Sequence, residues 1–251
     1  MDNKGHQDRV IRQFTQQAKG YSSISSHRNA LDKLVQMAAV KSEDSVLDVA
    51  CGTGMVACEF ARFAGKVTGI DITTEMLKEA QRLHNKMNLK NIVWHLGNAN
   101  PLPFEEGAFS VVVSRFSFHH FLEPDKVLQE MIRVCQPGGR VIVADVCLPE
   151  SKVDHYNVME KIRDTSHTAA LSHRELDNLM KFSGLKAIKN YEYRMKIGLE
   201  QQLDASFAVD TKKLREMIQN DIDVNRLGID ASREANGIYL HYPIRIYCGV
   251  K

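Results

Sequence analysis

Five short apolar runs mark the first 150 residues: Val46–Ala50, Lys66–Ile70, Ile92–Leu96, Phe109–Ser114 and Arg140–Val146. Most lack strict alternation, so both faces of each strand are expected to be buried. Between them lie stretches of helical spacing: one after the glycine turn at 52–54, one from about Thr73 to Lys86 and one from Pro124 to Val134. Strand–helix alternation of this kind predicts right-handed βαβ units and a doubly wound, Rossmann-like parallel sheet. Before it, residues 1–45 read as helical and polar, with Val10, Phe14 and Ala18 four apart and a second stripe at Leu31, Leu34, Val35 and Ala38. Gly20-Tyr21-Ser22-Ser23 reads as a flexible joint between the two.

The last third changes character. Residues 150–182 are predicted helical, and Leu185–Ile197 and Ile238–Tyr247 are predicted strands. Alternation at Ile238, Leu240, Tyr242, Ile244 and Ile246 suits an antiparallel, hairpin-like partner. Residues 200–235 read as a helical insertion. The expected plan is a seven-stranded α/β sheet: a helical cap over 1–45, a binding core over 46–150, and a second half over 151–251. Lid insertions at about 150–180 and 200–235 are expected to form a substrate pocket in that second half.

Composition narrows the field. With 251 residues and 43% hydrophobic content, the chain is long enough for a large core without cross-links. A near balance of 33 basic and 31 acidic residues disfavours binding to nucleic acid through bulk charge. No apolar run has the length of a membrane span, and the polar start MDNKGHQDRV has no leader-type apolar region. Five widely spaced cysteines without a CxxC pair argue against disulfides and structural zinc, so no metal is expected and a reducing cytoplasm is the expected setting.

In a doubly wound sheet, ligands sit beyond the carboxyl ends of the strands. The first such end reads Asp48-Val49-Ala50-Cys51-Gly52-Thr53-Gly54. Its glycines allow a tight turn and close approach of a ligand, or merely join strand to helix. About twenty residues on, Asp71 ends the second strand, suited to a ribose diol or to capping the next helix. Asp48 separates the ligands: a carboxylate there repels a pyrophosphate and attracts a sulfonium or ammonium. S-adenosylmethionine, which carries a ribose and a sulfonium but no phosphate, fits these charges better than NAD.

Val46–Gly54, Asp71, Asn98-Ala99, Leu102-Pro103-Phe104 and Gln136-Pro137-Gly138-Gly139 together resemble the class I S-adenosylmethionine-dependent methyltransferases, in the branch holding the ubiquinone and menaquinone biosynthesis C-methyltransferases. The resemblance covers about residues 8–150; beyond that it extends only to the general plan. It implies that Asp48, Gly52, Thr53 and Gly54 line the methionine and sulfonium end and that Asp71 holds the ribose, with Ile72 beside the adenine. It further implies that Asn98 and Ala99 meet the adenine edge, that Ser114 lies beside the methionyl group, and that Tyr21 folds over the cofactor. The run Arg115-Phe116-Ser117-Phe118-His119-His120-Phe121 departs from the quinone enzymes, which carry a different run ending in Arg-Asn. The pattern is closer to the generic small-molecule branch.

Methyl transfer needs an aligned nucleophile in a dry site, and a general base only where the acceptor holds its proton tightly. His119, His120, His155 and His167 are candidate bases or binders, with structural roles equally open to them. Arg163-Asp164-Thr165-Ser166-His167 forms part of a lid or a surface cap. Arg115, Arg163 and Arg194 are candidate binders of an acidic substrate, or ordinary ion pairs. The expected reaction is in-line methyl transfer to a small molecule by a monomer or homodimer. The alternatives are an NAD-type oxidoreductase, a non-catalytic S-adenosylmethionine-binding protein and a nucleic-acid methyltransferase. The last lacks its Asn-Pro-Pro-aromatic motif after the fourth strand.

Overall fold

A computed structural model describes residues 3–251. Among them the chain runs α1 (Asn3–Ser23), α2 (Leu31–Ala38), β1 (Ser45–Val49), α3 (Met55–Phe60), β2 (Lys66–Asp71), α4 (Thr74–Lys86), β3 (Ile92–Leu96), β4 (Phe109–Arg115), α5 (Pro124–Val134) and β5 (Cys135–Leu148). Then follow α6 (Glu150–Arg163), β6 (Leu171–Ser172), α7 (His173–Lys181), β7 (Lys186–Gly198), α8 (Leu199–Ser206), α9 (Thr211–Asn220), β8 (Ser232–Glu234) and β9 (Gly237–Val250). Single 3-10 turns occupy Ser25–Arg28 and Phe118–His120.

The long strands lie in the order β3-β2-β1-β4-β5-β9-β7. β1 through β5 pair in parallel, whereas β9 runs antiparallel to both β5 and β7. The expected mostly parallel sheet with an antiparallel C-terminal end is therefore present. Two short strands enlarge it to nine: β6 beside β5, and β8 in a hairpin with β9.

Alternation within the central strands distributes the core to both faces. In β1, Val46 packs with Phe60 and Val67 under α3, while Leu47 and Val49 pack with Leu128 and Met131 of α5 on the other face. β4 repeats this, with Val111 and Val113 on one side and Val112 on the other. A third apolar cluster joins α6, α8 and α9 to Leu240, Tyr242 and Ile244 of β9. The strand order reverses between β1 and β4, and in sheets of this kind the crevice at such a switch point is the usual place for a ligand.

Three expectations change. Gly20 is no joint, because α1 continues through Ser23; at Gly20 it lies so close to α8 that a Cβ would stand 3.1 Å from the Ala205 Cα. The stretch 150–182 is broken by β6, and α7 restarts with a capping box in which Ser172 and Glu175 exchange side-chain–backbone hydrogen bonds. The 200–235 insertion is two short helices followed by a loop and β8.

Candidate functional site

Two adjoining chambers occupy the carboxyl end of the sheet. The first encloses about 860 Å³, counting its open mouth. Its floor is the turn after β1. Gly52 adopts φ +53°, and a Cβ on it would project into open space. Its amide donates to Asp71 Oδ2 at 2.8 Å. Asp71 Oδ1 accepts from the Thr73 amide at 2.8 Å, which fixes the carboxylate at the chamber wall. Burial raises the Asp71 pKa, against the lowering pull of those two amides. Thr53 lines the chamber with a buried hydroxyl that has no hydrogen-bond partner among the described residues.

Ile72, Asn98 and Ala99 line the same chamber, as does Tyr21 from the end of α1. Seven of the ten residues named for the cofactor therefore share one space. The other three, Asp48, Gly54 and Ser114, do not line it. Asp48 is fully buried behind the turn, where its Oδ2 accepts from the Ala57 amide of α3 at 2.9 Å. Burial pushes its pKa up to about 8, so near neutrality it is mostly uncharged. The discrimination against pyrophosphate expected from its charge has to come from elsewhere. Gly54, φ +76°, is needed for packing: a Cβ there would stand 2.6 Å from the Trp94 ring. The Ser114 hydroxyl is turned inward and donates to the Val49 carbonyl at 2.7 Å.

Among the described residues, Arg115 is the only Arg or Lys lining this first chamber, and it is already engaged. Its guanidinium donates to the His27 carbonyl at 2.5 Å, the Asn29 carbonyl at 2.9 Å and the Tyr193 hydroxyl at 3.0 Å, and lies over the Phe116 ring. It pins residues 27–29 to the sheet, which is neither of the roles expected for it. Among the described residues lining the chamber, no unengaged Arg or Lys is left at the glycine turn to meet a phosphate.

The second chamber, about 610 Å³, lies under α1, α6 and α8. Phe14, Tyr21, His27, Phe116 and His120 line both chambers, so the two adjoin along a common wall. Its walls mix Ile24, Val146 and Met195 with Tyr156, Tyr242, His119, Arg163 and Asp164. Arg163 is paired with Glu160 at 2.6 Å. Gln13 and Gln17 of α1 donate to the Ser206 carbonyl at 3.0 and 2.9 Å, tying the roof to α8.

The candidate histidines separate clearly. His155 is exposed and lines neither chamber. His167 is buried and donates through Nε2 to Asn157 at 2.8 Å; burial and the neighbouring charges of His119 and His120 hold its pKa near about 2. His120 is likewise kept neutral by burial and by His119. Arg194 is exposed on β7 and lines neither chamber. Sequence reasoning missed His27, a wall of both chambers whose buried ring is held down at about 3 by desolvation and Arg115. It also missed Asp145, whose only signal was an acid inside an apolar strand.

The methyltransferase domain family profile matches residues 40–224. The chain belongs to the methyltransferase domain family. The methyl donor of this family is S-adenosylmethionine. An uncharacterised methyltransferase of Bacillus subtilis, YcgJ, is 28% identical over 158 residues, 61% of this chain and 62% of its own length. The solved YcgJ structure superposes with a TM-score of 0.80 at 24% identity, covering 90% of this chain and 99% of that one. UbiE of Blochmanniella floridana, a ubiquinone/menaquinone biosynthesis C-methyltransferase, is 35% identical over 135 residues, 52% of this chain and 53% of its own. The chain thus spans between half and two thirds of these curated relatives. Among the described residues of this methyltransferase-family chain, no helix is long and apolar enough to cross a membrane.

Proposed function

We propose that this chain transfers a methyl group from S-adenosylmethionine seated in the first chamber to a small molecule held in the second. The observation that carries the reading is the shared wall of Phe14, Tyr21, His27, Phe116 and His120, which sets the two chambers side by side. The fit of the donor rests on the open space above Gly52, the unpartnered Thr53 hydroxyl and the wall carboxylate of Asp71. Asp71 accepts from the ribose hydroxyls. Asn98 and Ala99 meet the adenine, with Ile72 against its face. Tyr21 covers the mouth, and burial pushes its phenol pKa up to about 12, so it remains neutral there.

When bound, the donor supplies a methyl carbon activated by a positive sulfur. The chain's own work is to align the acceptor, exclude water and leave no competing anion or cation at the transfer point. α1 and α8 close the top, and aromatic rings form the passage. UbiE is named for quinone biosynthesis; here the run 115–121 differs from the quinone enzymes, so a non-quinone small molecule is the acceptor we favour. Calorimetric titration tests the donor. S-adenosylmethionine and S-adenosylhomocysteine bind, NAD does not, and Asp71→Ala weakens both by at least about tenfold, about 1.4 kcal/mol. Tight NAD binding with no response to the other two ligands refutes the reading.

A further inference from the structure

Asp145 sits in β5 and is 1% exposed. Four donors converge on its carboxylate. Oδ2 accepts from the amides of Phe118 at 2.7 Å and His119 at 3.3 Å. Oδ1 accepts from the Val146 amide at 2.7 Å and from His119 Nδ1 at 2.6 Å. A carboxylate only accepts, so Nδ1 carries the proton and Nε2 of the neutral ring holds a lone pair. That nitrogen has no hydrogen-bond partner among the described residues, and His119 lines the second chamber. An imidazole oriented by a buried, fully anchored carboxylate, with its far nitrogen at a ligand space, is the arrangement of a general base.

We propose that His119 Nε2 accepts the hydroxyl proton of a phenol or enol held in the second chamber, with Asp145 as the positioning residue. The inference rests on the methyl-transfer reading above. As the acceptor oxygen forms its bond to the methyl carbon, the sulfur–carbon pair returns to sulfur. The O–H proton passes to Nε2, and the resulting imidazolium is balanced by Asp145 before it releases the proton to water.

The acceptor class follows from what needs such a base. An amine attacks through its free lone pair and sheds its proton afterwards, and a thiol ionises near neutrality unaided. A phenol or enol needs its proton taken during attack. The walls agree: Tyr156, Tyr242, Phe14 and Phe116 suit a flat ring. Arg163, on the wall of the space, is already paired with Glu160 and followed there by Asp164, which disfavours entry of a preformed anion. The groups acting on His119 are Asp145, Glu160 and Arg163, with the His120 and His167 rings 4.2 and 5.6 Å away. Burial pulls its pKa down, but Asp145 and Glu160 outweigh that and leave it raised. The base works deprotonated, so transfer rises with pH along a limb above that of an ordinary histidine.

The test uses labelled-methyl S-adenosylmethionine with a series of phenols and enols of graded acidity, alongside calorimetry of the donor. His119→Gln is expected to keep donor affinity within about twofold. It is expected to slow transfer to the weakest acids by about a hundredfold or more, and transfer to phenols already ionised by less than about tenfold. Asp145→Asn moves the ascending pH limb downward. Donor that fails to bind the wild type sinks the methyl-transfer reading itself. Bound donor with no phenol or enol methylated sinks the acceptor class. An equal loss across the acidity series, or a pH-independent wild-type rate with the weakest acids, shows that His119 only holds the structure.

Discussion

Gly52, Thr53, Asp71 and Asn98 reach the first chamber from the ends of three adjacent strands, while the second chamber draws Phe14, His119, Tyr156, Arg163 and Tyr242 from distant segments. The first has a floor that is a local product of strand–turn–helix geometry, where desolvation holds two acids toward the neutral form, Asp71 on the wall and Asp48 behind the turn. The second is assembled by long-range packing around buried bases. His27 and His120 on its wall and His167 beside it are all held neutral. Burial thus acts oppositely on the two regions with pH, because it disfavours whichever form carries charge.

That opposition can be broken one side at a time. Asp48 has a folded pKa raised to about 8 from 3.8. Its contribution to stability is fully present below 3.8 and is lost as pH rises through about 8, because the unfolded chain ionises first. Asp48→Asn keeps the acceptor for the Ala57 amide and removes the titration. It is expected to be more stable than the wild type at pH 8 by on the order of 3 kcal/mol, with the gap closing toward pH 4, as read by urea unfolding across that range. A constant gap at all pH values assigns the effect to something other than charge.

His167 gives the opposite slope. Its pKa is lowered from 6.5 to about 2, so the unfolded chain takes up a proton first and stability is lost as pH falls below about 6.5. His167→Gln, which can still donate to Asn157, is expected to make the acid limb shallower by up to about 1.4 kcal/mol per pH unit. An unchanged slope between pH 6.5 and 4 contradicts a buried neutral ring. The smallest effect belongs to Gln202, on the second chamber's wall, whose buried Oε1 has no partner among the described residues. Gln202→Met removes that unsatisfied group and is expected to add about 1 kcal/mol while leaving donor affinity unchanged. Destabilisation instead shows that the amide is satisfied by water.

The same contrast explains what the sequence made legible. The parallel strands are short and mostly apolar, and Asp71 follows the glycine turn at the spacing the fold dictates, while Tyr21, Ile72, Asn98 and Ala99 came from the family resemblance; these residues line one chamber. Asp48 and Asp145 carried one and the same signal, a lone acid in a buried strand. One caps a helix from behind the wall and the other aligns a histidine at the second chamber. Nothing in the local sequence separates them, because the difference lies in which face of the sheet each carboxylate meets and what the chain places there far away. His27 was hidden for a related reason: it enters both chambers only because Arg115 ties its carbonyl to the end of β4.

The two glutamines that fasten α1 to the Ser206 carbonyl have a kinetic meaning. In the proposed reading one helix roofs donor and acceptor alike, so the spent donor and the methylated product share one exit beneath it. Loosening the two amide contacts to the Ser206 carbonyl is then expected to speed the exit of both molecules together.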